Sequence, residues 1–179
     1  MEEIFIKTTI DHSINIEPKY INNNLQKKLL KEAKQLEGTC IKNGFVKPNS
    51  IHIIKKSLGN INFNNFKGNI TYNLNLSLEL CNPIQGSIIE GQVLSINKMG
   101  ILAGVPYEDN SPLNILLARQ HHNNNKYYDK IQEKDIIKIK IIGKRYECGD
   151  TQISIIGVLY DDDDLDNTNN NNNSNVDGH

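Results

Sequence analysis

The chain has 179 residues with a formal net charge of -1, and 37% of them are hydrophobic, enough for one ordinary domain or two small ones. No apolar run approaches the roughly 18 residues that cross a bilayer, and MEEIFIKTTI lacks the basic region of a signal peptide, so we expect a soluble, non-secreted protein with no membrane partner. Three cysteines, Cys40, Cys81 and Cys148, show no CxxC spacing and cannot all pair, which favours a reducing compartment over a disulfide framework or a thiolate zinc site.

The first eighty residues predict one amphipathic helix on a small antiparallel sheet. Residues 69–80, NITYNLNLSLEL, alternate strictly between apolar and polar side chains, which indicates a half-buried antiparallel strand. Three shorter strands are predicted in IFIKTTI, TCIKNGF and SIHIIKKS, because each is rich in Ile, Thr or Phe. The helix is predicted where apolar residues recur at spacings of four, four and three ahead of Gly38, with lysines interleaved: Leu25, Leu29, Ala33 and Leu36.

The segment CNPIQG, residues 81–86, predicts a domain boundary, because Pro83 removes a ladder donor and Gly86 permits a turn. Five strand candidates follow, separated by turn residues and one polar insert, QHHNNNKYYDKIQEK: SIIEGQVLSIN, GILAGV, LNILLAR, DIIKIKIIGKRY and TQISIIGVL. Five strands of this order predict an OB-fold barrel, in which Gly100 marks a sharp bend or turn. The predicted fold class is α+β, mainly β, with domains at 1–80 and 81–160.

Residues 161–179, DDDDLDNTNNNNNSNVDGH, predict a disordered tail rich in Asp and Asn. They have no hydrophobic periodicity and cannot bury enough apolar surface to offset the entropy of ordering the chain. They hold six aspartates and no Lys or Arg, so residues 1–160 carry all 20 basic side chains against 15 acidic ones (21 - 6), a charge of +5 (20 - 15). The body that we expect to fold is therefore mildly basic.

The side chains that could carry catalysis lack companions. Cys40 has His52 as its nearest histidine, but no acid or oxyanion-hole motif accompanies them, so Cys40 is interpreted as a small apolar strand residue. His121 and His122 are adjacent and have no carboxylate at ligand spacing, which favours a polar loop over a metal site. No phosphate-binding glycine motif or paired catalytic carboxylates appear, so we expect no catalytic residue, no metal and no cofactor.

Basic residues of the second half are the remaining candidate for a binding surface. They fall on the predicted strands and loops of the barrel, where OB-folds engage phosphate backbones. A solvated basic face explains the same residues equally well. The residues are Lys98, Arg119, Lys138, Lys140, Lys144 and Arg145.

Several segments, in this order and spacing, resemble one family: EPKYINNNLQKKLL, LEGTCIKNGF, YNLNLSLELCNPIQGSIIEGQV, NKMGI and SPLNILLAR. They resemble the stalk subunit of multisubunit DNA-directed RNA polymerases, which is the seventh subunit of RNA polymerase II and its archaeal counterpart. The likeness covers roughly residues 4–160 and is strongest at 18–45 and 78–119. The Asn-rich divergence and the shortened SPLNILLARQHH segment are similar to versions encoded by large DNA viruses.

The resemblance implies a ribonucleoprotein-like tip domain whose Pro-x-Tyr/Phe loop docks on the polymerase core, followed by an OB barrel. It implies core-binding residues Pro18, Tyr20, Ile21, Asn22 and Leu25. Asn22 stands where the family has glycine after its aromatic residue, and Asn is the non-glycine residue best able to adopt a positive φ. For RNA the implied residues are Lys98, Tyr107, Arg119, Lys144 and Arg145; GILAGV and LNILLAR contain no aromatic residue for stacking, so charge should dominate.

The resemblance implies a non-catalytic polymerase subunit that docks near the clamp and guides nascent single-stranded RNA weakly. Its expected partners are the large polymerase subunits, and whether a fourth-subunit-like partner completes the stalk stays open. A viral copy would act in the virion and host cytoplasm, and a cellular copy in the nucleus. Two alternatives remain: a free-standing RNA-binding OB protein of translation or RNA decay, and, more remotely, a thiol hydrolase using Cys40 and His52.

Overall fold

The computed structural model describes residues 4–61, 68–107, 111–122 and 127–160, so the predicted tail at 161–179 lies outside the described residues. The described residues fall into two compact units. The first comprises residues 4–83 together with Tyr146–Ile153, and the second comprises Ile84–Arg145 together with residues 154–160. The fold class is as predicted, mainly β with a single α-helix in these ranges.

The sheet of the first unit is organised around one long strand, β6. β1 pairs along one edge of β6, whereas β3, β4 and β5 pair in succession along its other edge, and β2 pairs with β3. All these pairings are antiparallel. The strands are β1 (Ile6–Ile16), β2 (Cys40–Ile41), β3 (Gly44–Val46), β4 (His52–Lys56), β5 (Asn60–Ile61) and β6 (Ile70–Cys81).

Strand β1 is longer than the predicted IFIKTTI, because it continues through DHSINI to Ile16. Asp, Ser and Asn are poor strand formers by themselves, so local propensity gave no signal there. Their side chains pair with β6 on the polar face of the sheet: Ser13 Oγ donates to Asn73 Oδ1 at 2.7 Å, and Asn75 Nδ2 donates to Asp11 Oδ1 at 2.8 Å. Cross-strand pairing therefore determines the length of β1.

The opposite, apolar face of β6 packs against helix α1 (Leu25–Ala33), which continues as a 3-10 turn at Lys34–Leu36. Leu29 and Ala33 are buried in one cluster with alternate residues of β6, as their spacing predicted. Gly38 follows the helix with φ +72°, a conformation that favours glycine at a helix end. In the described ranges, α1 is too short and too polar to cross a membrane.

Two details of this sheet differ from the sequence-based expectation. TCIKNGF is not one strand but a hairpin, because Lys42 and Asn43 form a turn between β2 and β3. Strand β5 was not predicted, because two residues are too few to show a strand pattern. Its Asn60 and Ile61 pair with Thr71 and Ile70 of β6.

The second unit is a closed five-stranded barrel in the order β10-β11-β9-β8-β7, as predicted. Alternate Ile, Leu and Val side chains of its strands point inward and are buried. Gly100 begins β8 where a Cβ atom would lie only 2.2 Å from the carbonyl oxygen of Leu117, so the close approach of β9 requires glycine there. The strands are β7 (Ile88–Ile96), β8 (Gly100–Gly104), β9 (Leu113–Ala118), β10 (Ile136–Arg145) and β11 (Ile153–Leu159).

His122 corrects the prediction that both histidines of the polar insert lie in a solvated loop. His121 is exposed, but His122 is only 7% exposed and stacks on the buried Tyr128 ring at 4.5 Å between centroids. The Leu159 N–H donates to His122 Nε2 at 3.0 Å, so the other nitrogen, Nδ1, carries the proton and donates to the Ala118 carbonyl at 2.8 Å. The imidazole therefore joins the ends of β9 and β11.

Tyr128 supports this connection from the other side of the imidazole. Its hydroxyl donates to the Leu117 carbonyl at 2.9 Å, and burial raises the pKa of the phenol, which keeps it protonated and able to donate. Sequence periodicity could not reveal this pair, because both residues lie in turns where apolar spacing has no meaning.

We expect His122→Ala to lower the free energy of unfolding by about 1–3 kcal/mol, because it leaves the partly buried Leu159 N–H and Ala118 carbonyl without their partner. The exposed neighbour provides the control, because His121→Ala should change the free energy of unfolding by less than about 0.5 kcal/mol. Urea denaturation of both variants measures the difference. Equal stabilities for the two variants would contradict the bridging role of His122.

Candidate functional site

The predicted core-binding residues lie close together in sequence, in the loop between β1 and α1 and at Leu25, the first residue of α1. Pro18–Tyr20 form a 3-10 turn, in which the N–H of Ile21 donates to the Pro18 carbonyl at 3.0 Å. Proline fixes φ at the first position of such a turn, so the chain leaves β1 in a defined direction. The loop is therefore held by its own backbone hydrogen bonds as well as by its neighbours.

Asn22 closes the loop through its side chain rather than through a positive φ. The residues with positive φ, other than glycines and among those described, are Asn49 and Lys134. Asn22 Oδ1 instead accepts a hydrogen bond from the Asn24 N–H at 2.8 Å, and the Asn22 carbonyl accepts one from the Leu25 N–H at 2.9 Å. This side-chain turn does by hydrogen bonding what glycine does by conformational freedom.

The Tyr20 ring lies between two lysines. Lys19 Nζ is 4.9 Å and Lys28 Nζ 4.8 Å from the ring centroid, within the range of cation–π attraction. Each ammonium group is itself held by a carboxylate, Lys19 by Glu17 at 2.6 Å and Lys28 by Glu32. The orientation of the ring is thus restrained before any partner binds, and Lys28 is a contributor that sequence spacing did not indicate.

The apolar side chains of this loop divide between solvent and the core of the first unit. Tyr20 is 37% and Ile21 41% exposed, and Pro18 is exposed as well. Leu25, in contrast, is half-buried and packs against the core cluster that contains Leu29. The predicted set therefore splits into an outer edge and one residue that supports the loop from beneath.

A pocket of about 410 Å³ adjoins the loop and is lined by Glu17, Pro18, Lys19 and Asn69. Asn69 Oδ1 is buried and has no hydrogen-bond partner in the part of the chain that the structure describes. A buried acceptor without a donor is costly, and buried polar groups are usually paired. Sequence reasoning missed Asn69, since one asparagine in an Asn-rich chain gives no signal.

Cys40 and His52 do not form a catalytic pair. Cys40 lies opposite Phe45, which lies opposite Cys81 on β6, whereas His52 lies opposite Ser77. Cys81 and Ser77 are four residues apart on one strand, about 13 Å, which is beyond hydrogen-bond reach. Burial, with smaller contributions from Asp150 and Cys148, raises the pKa of the Cys40 thiol to about 11, so it is protonated at neutral pH.

The backbone of Cys40 has a structural role instead. Its N–H donates to the Asp150 carbonyl at 2.7 Å, and its carbonyl accepts from the Gly149 N–H at 2.8 Å. The Tyr146 hydroxyl donates to the Lys42 carbonyl at 3.2 Å. These bonds attach Tyr146–Ile153 to the hairpin of β2 and β3 within the first unit.

Of the predicted RNA-binding residues, Lys98 and Arg119 lie at one end of the barrel. Lys98 is exposed in the turn that joins β7 to β8, and Arg119 directly follows β9. The Arg119 N–H donates to the Met99 carbonyl at 3.0 Å, which holds the two segments together. The Arg119 guanidinium also lies 3.8 Å from the Asp129 carboxylate and 5.9 Å from the Tyr128 ring centre.

Tyr107, Lys144 and Arg145 lie at the other end. β10 runs antiparallel to β7 with Lys140 opposite Ile88, the first residue of β7, so Lys144 and Arg145 lie beyond Ile88. β8 also runs antiparallel to β7, and Tyr107 follows Gly104, which lies opposite Gln92, so Tyr107 lies toward the same end of the barrel. β7 has nine residues, about 30 Å of strand, so the two groups do not form one patch. The predicted RNA-binding residues are thus brought together in two separate sets.

A β-bulge between Ile141 and Gly143 shifts the alternation of β10 and so decides which of Lys144 and Arg145 faces outward. Lys144 lies opposite the buried Ile155, whereas Arg145 lies opposite the exposed Ser154. Directly opposite residues share a face of the sheet, so Arg145 joins the outer face that carries Lys138 and Lys140. Without the bulge, the alternation would have put Lys144 there instead.

Three of the known proteins similar to this chain match it over most of its length. The DNA-directed RNA polymerase II subunit RPB7 of Glycine max is 27% identical over 176 residues, covering 89% of this chain and 94% of that protein. The RNA polymerase II subunit 7 of Arabidopsis thaliana is 26% identical with the same coverage. The chain is thus similar to the seventh subunit of RNA polymerase II along most of its length. A candidate DNA-directed RNA polymerase subunit of Acanthamoeba polyphaga mimivirus, L376, is 23% identical over 172 residues, covering 89% of this chain and 84% of that protein.

The predicted resemblance to polymerase stalk subunits is confirmed by these relatives, both cellular and viral. No family model matches the chain. Coverage of 89% of the chain exceeds the length of either unit, so the RPB7-like sequence extends through both of them. A barrel-only protein would match over the second unit alone.

The thiols provide a direct test of the Cys40 assignment. We expect a thiol reagent to modify the exposed Cys148 rapidly, and the buried Cys40 and Cys81 only after unfolding. At pH 7 a pKa raised by burial to about 11 leaves Cys40 on the order of 100-fold less thiolate than an unperturbed cysteine. Stopped-flow labelling should lose its fast phase in Cys148→Ser and keep it in Cys40→Ser. A fast phase that depends on Cys40 would restore the nucleophile hypothesis.

Proposed function

We propose that the chain is a non-catalytic stalk subunit of a DNA-directed RNA polymerase, which docks on the polymerase core near the clamp through the loop Pro18–Leu25. The observation that carries this proposal is the loop itself: Tyr20 and Ile21 are exposed on a hydrogen-bonded proline turn. The similarity to RPB7 of Glycine max and to the mimivirus subunit supports the class of complex in which it acts.

Ordered, exposed apolar side chains favour binding, because little conformational entropy is lost when a partner covers them. Tyrosine in particular is enriched among residues that contribute most to interface energy. The lysines on both sides of the Tyr20 ring already restrict its rotamers in the free chain. The unpaired Asn69 Oδ1 beside Pro18 adds a polar anchor for a donor on the core.

The barrel, in this proposal, contacts nascent single-stranded RNA by charge. Strands β8 and β9 have no Phe, Tyr or Trp, so the stacking used by many OB-folds is absent from them. Tyr107 is the aromatic residue nearest to the end of β8, and it is half-buried. Phosphate contacts from lysine and arginine at both ends of the barrel would give weak binding without sequence preference.

The partners follow from the same assignment. They are the large polymerase subunits, with a fourth-subunit-like partner as a further component of the stalk. A cellular copy would act in the nucleus, and a viral copy in the virion and host cytoplasm. The rival hypothesis, a free-standing RNA-binding OB protein, accounts for the barrel but not for the exposed, ordered loop of the first unit.

Docking through the loop is tested by Tyr20→Ala combined with Ile21→Ala in the full chain. We expect at least a tenfold loss in recovery of the two large polymerase subunits by affinity purification, because two central apolar contacts typically contribute several kcal/mol. The matched control is Ile136→Ala combined with Ile156→Ala, which removes exposed apolar side chains of the barrel and should leave recovery unchanged. Unchanged recovery with the loop variant would show that docking does not use this edge.

RNA contact by charge is tested with a fluorescent uridine oligomer at two or more salt concentrations. Lys98→Ala with Arg119→Ala, and Lys144→Ala with Arg145→Ala, should each weaken binding and lower the salt slope by up to about 1 per lost phosphate contact. Their effects should add, because the two pairs lie at opposite ends of the barrel. Salt-insensitive, sequence-selective binding would refute the charge mechanism. Absence of binding at the lowest salt would mean that the chain acts through protein contacts alone.

A further inference from the structure

The last described residues of the chain leave the barrel beside a row of cations. The Tyr160 N–H donates to the Lys138 carbonyl at 3.0 Å, so Tyr160 lies opposite Lys138 on β10. The next six residues are DDDDLD, and the whole stretch 161–179 contains no Lys or Arg. The most acidic segment of the protein is therefore attached next to a lysine.

That lysine belongs to a basic face on the outside of the barrel, formed by Lys138, Lys140 and Arg145. Lys138 and Lys140 are exposed and alternate with the buried Ile137, Ile139 and Ile141 of β10. Arg145 joins the two lysines because of the bulge in β10. The basic face is thus a product of one strand and its irregularity.

The strands on both sides of β10 add little negative charge to the basic face. Lys140 lies opposite Val158 of β11 and Ile88 of β7, and Arg145 lies opposite Ser154. Glu90 of β7 lies opposite Lys138. Among the described residues at outward positions of β7, β10 and β11, no other is acidic. Cations therefore outnumber carboxylates at these outward strand positions.

Exposed aliphatic side chains adjoin these cations. Ile156 is 47% and Ile142 40% exposed, and the two lie on neighbouring strands at the bulge. A segment that combines carboxylates with one apolar side chain fits such a surface better than a purely charged one. Leu165 stands among five aspartates in residues 161–166.

We propose that residues 161–166 dock in cis on the basic face of β10 and compete there with other polyanions. Six residues span up to about 20 Å, which is enough to extend from Tyr160 along the roughly 7 Å between Lys138 and Lys140 and onward toward Arg145. Attachment at Tyr160 gives the acidic segment a high effective concentration at the basic face, so weak individual ion pairs suffice. The tail then limits RNA binding to this side of the barrel, and only that consequence rests on the proposed function.

The test uses three full-length proteins: wild type, a neutral-tail variant in which residues 161–164 are Asn, and a relocated-tail variant in which residues 161–164 are Asn and Asn170–Asn173 are Asp. The relocated-tail variant has the same net charge as wild type but carries its acidic run nine residues farther from Tyr160. In low salt, the backbone amide NMR signals of Lys138 and Lys140 should differ between wild type and the neutral-tail variant. The difference should vanish at about 1 M salt, where the Debye length is about 3 Å.

Uridine-oligomer affinity supplies the second measurement. The neutral-tail variant should bind roughly fivefold more tightly than wild type, on the scale of a few exposed ion pairs, and the relocated-tail variant should lie closer to the neutral-tail variant. With Lys138→Gln and Lys140→Gln added, the effect of the tail should disappear, whereas adding Lys55→Gln and Lys56→Gln on β4 should preserve it.

The outcomes separate docking from general repulsion and from the proposed function. Identical β10 amide signals in wild type and the neutral-tail variant at low salt would overturn cis docking. A relocated-tail variant indistinguishable from wild type in both measurements would overturn it too, because net charge alone would then explain the effect. Amide differences with no RNA binding by any variant would support docking while removing the proposed RNA contact.

Discussion

Antiparallel pairing to the twelve-residue strand β6 is the interaction on which the first unit depends. Its apolar face forms the core with α1, and both of its edges are occupied by other strands. The register with β1 ends at Ile16 opposite Ile70, which places the residues after Ile16 beside those before Ile70. That single pairing creates the pocket between Pro18 and Asn69, and it fixes the point at which the loop Pro18–Leu25 leaves the sheet.

The loop Pro18–Leu25 shows how a short, largely exposed segment is held in one conformation without being buried. Backbone hydrogen bonds fix the turn, the Asn22 side chain closes it, and two lysines restrain the Tyr20 ring. Each interaction is weak at a solvent-exposed site, but together they reduce the number of conformations that a partner would have to select. Preorganisation of this kind supports the proposed docking role of the loop.

In the barrel, the residues that close the sheet are different from the residues that carry the positive charge. Closure depends on inward Ile and Leu side chains, on Gly100 at the crossing with β9, and on the His122–Leu159 hydrogen bond between β9 and β11. Charge lies elsewhere, at both ends and on the outer face of β10. Because these cations do not support the core, their arrangement can change with little cost to stability. The bulge between Ile141 and Gly143 illustrates this, because it determines that Arg145, and not Lys144, lies on the outer face of β10.

The sequence by itself determined the class of fold, because strict alternation in residues 69–80 and in DIIKIKIIGKRY specifies which side chains are buried, whatever their partners are. It also indicated α1 and the barrel, and the resemblance to polymerase subunits singled out Pro18, Tyr20 and Ile21, which the structure places in one loop. Only the tertiary structure decided the length of β1, the burial of His122, the unpaired Asn69 and the face on which Arg145 lies. These features depend on contacts between residues distant in sequence, where propensity and periodicity carry no information about the partner.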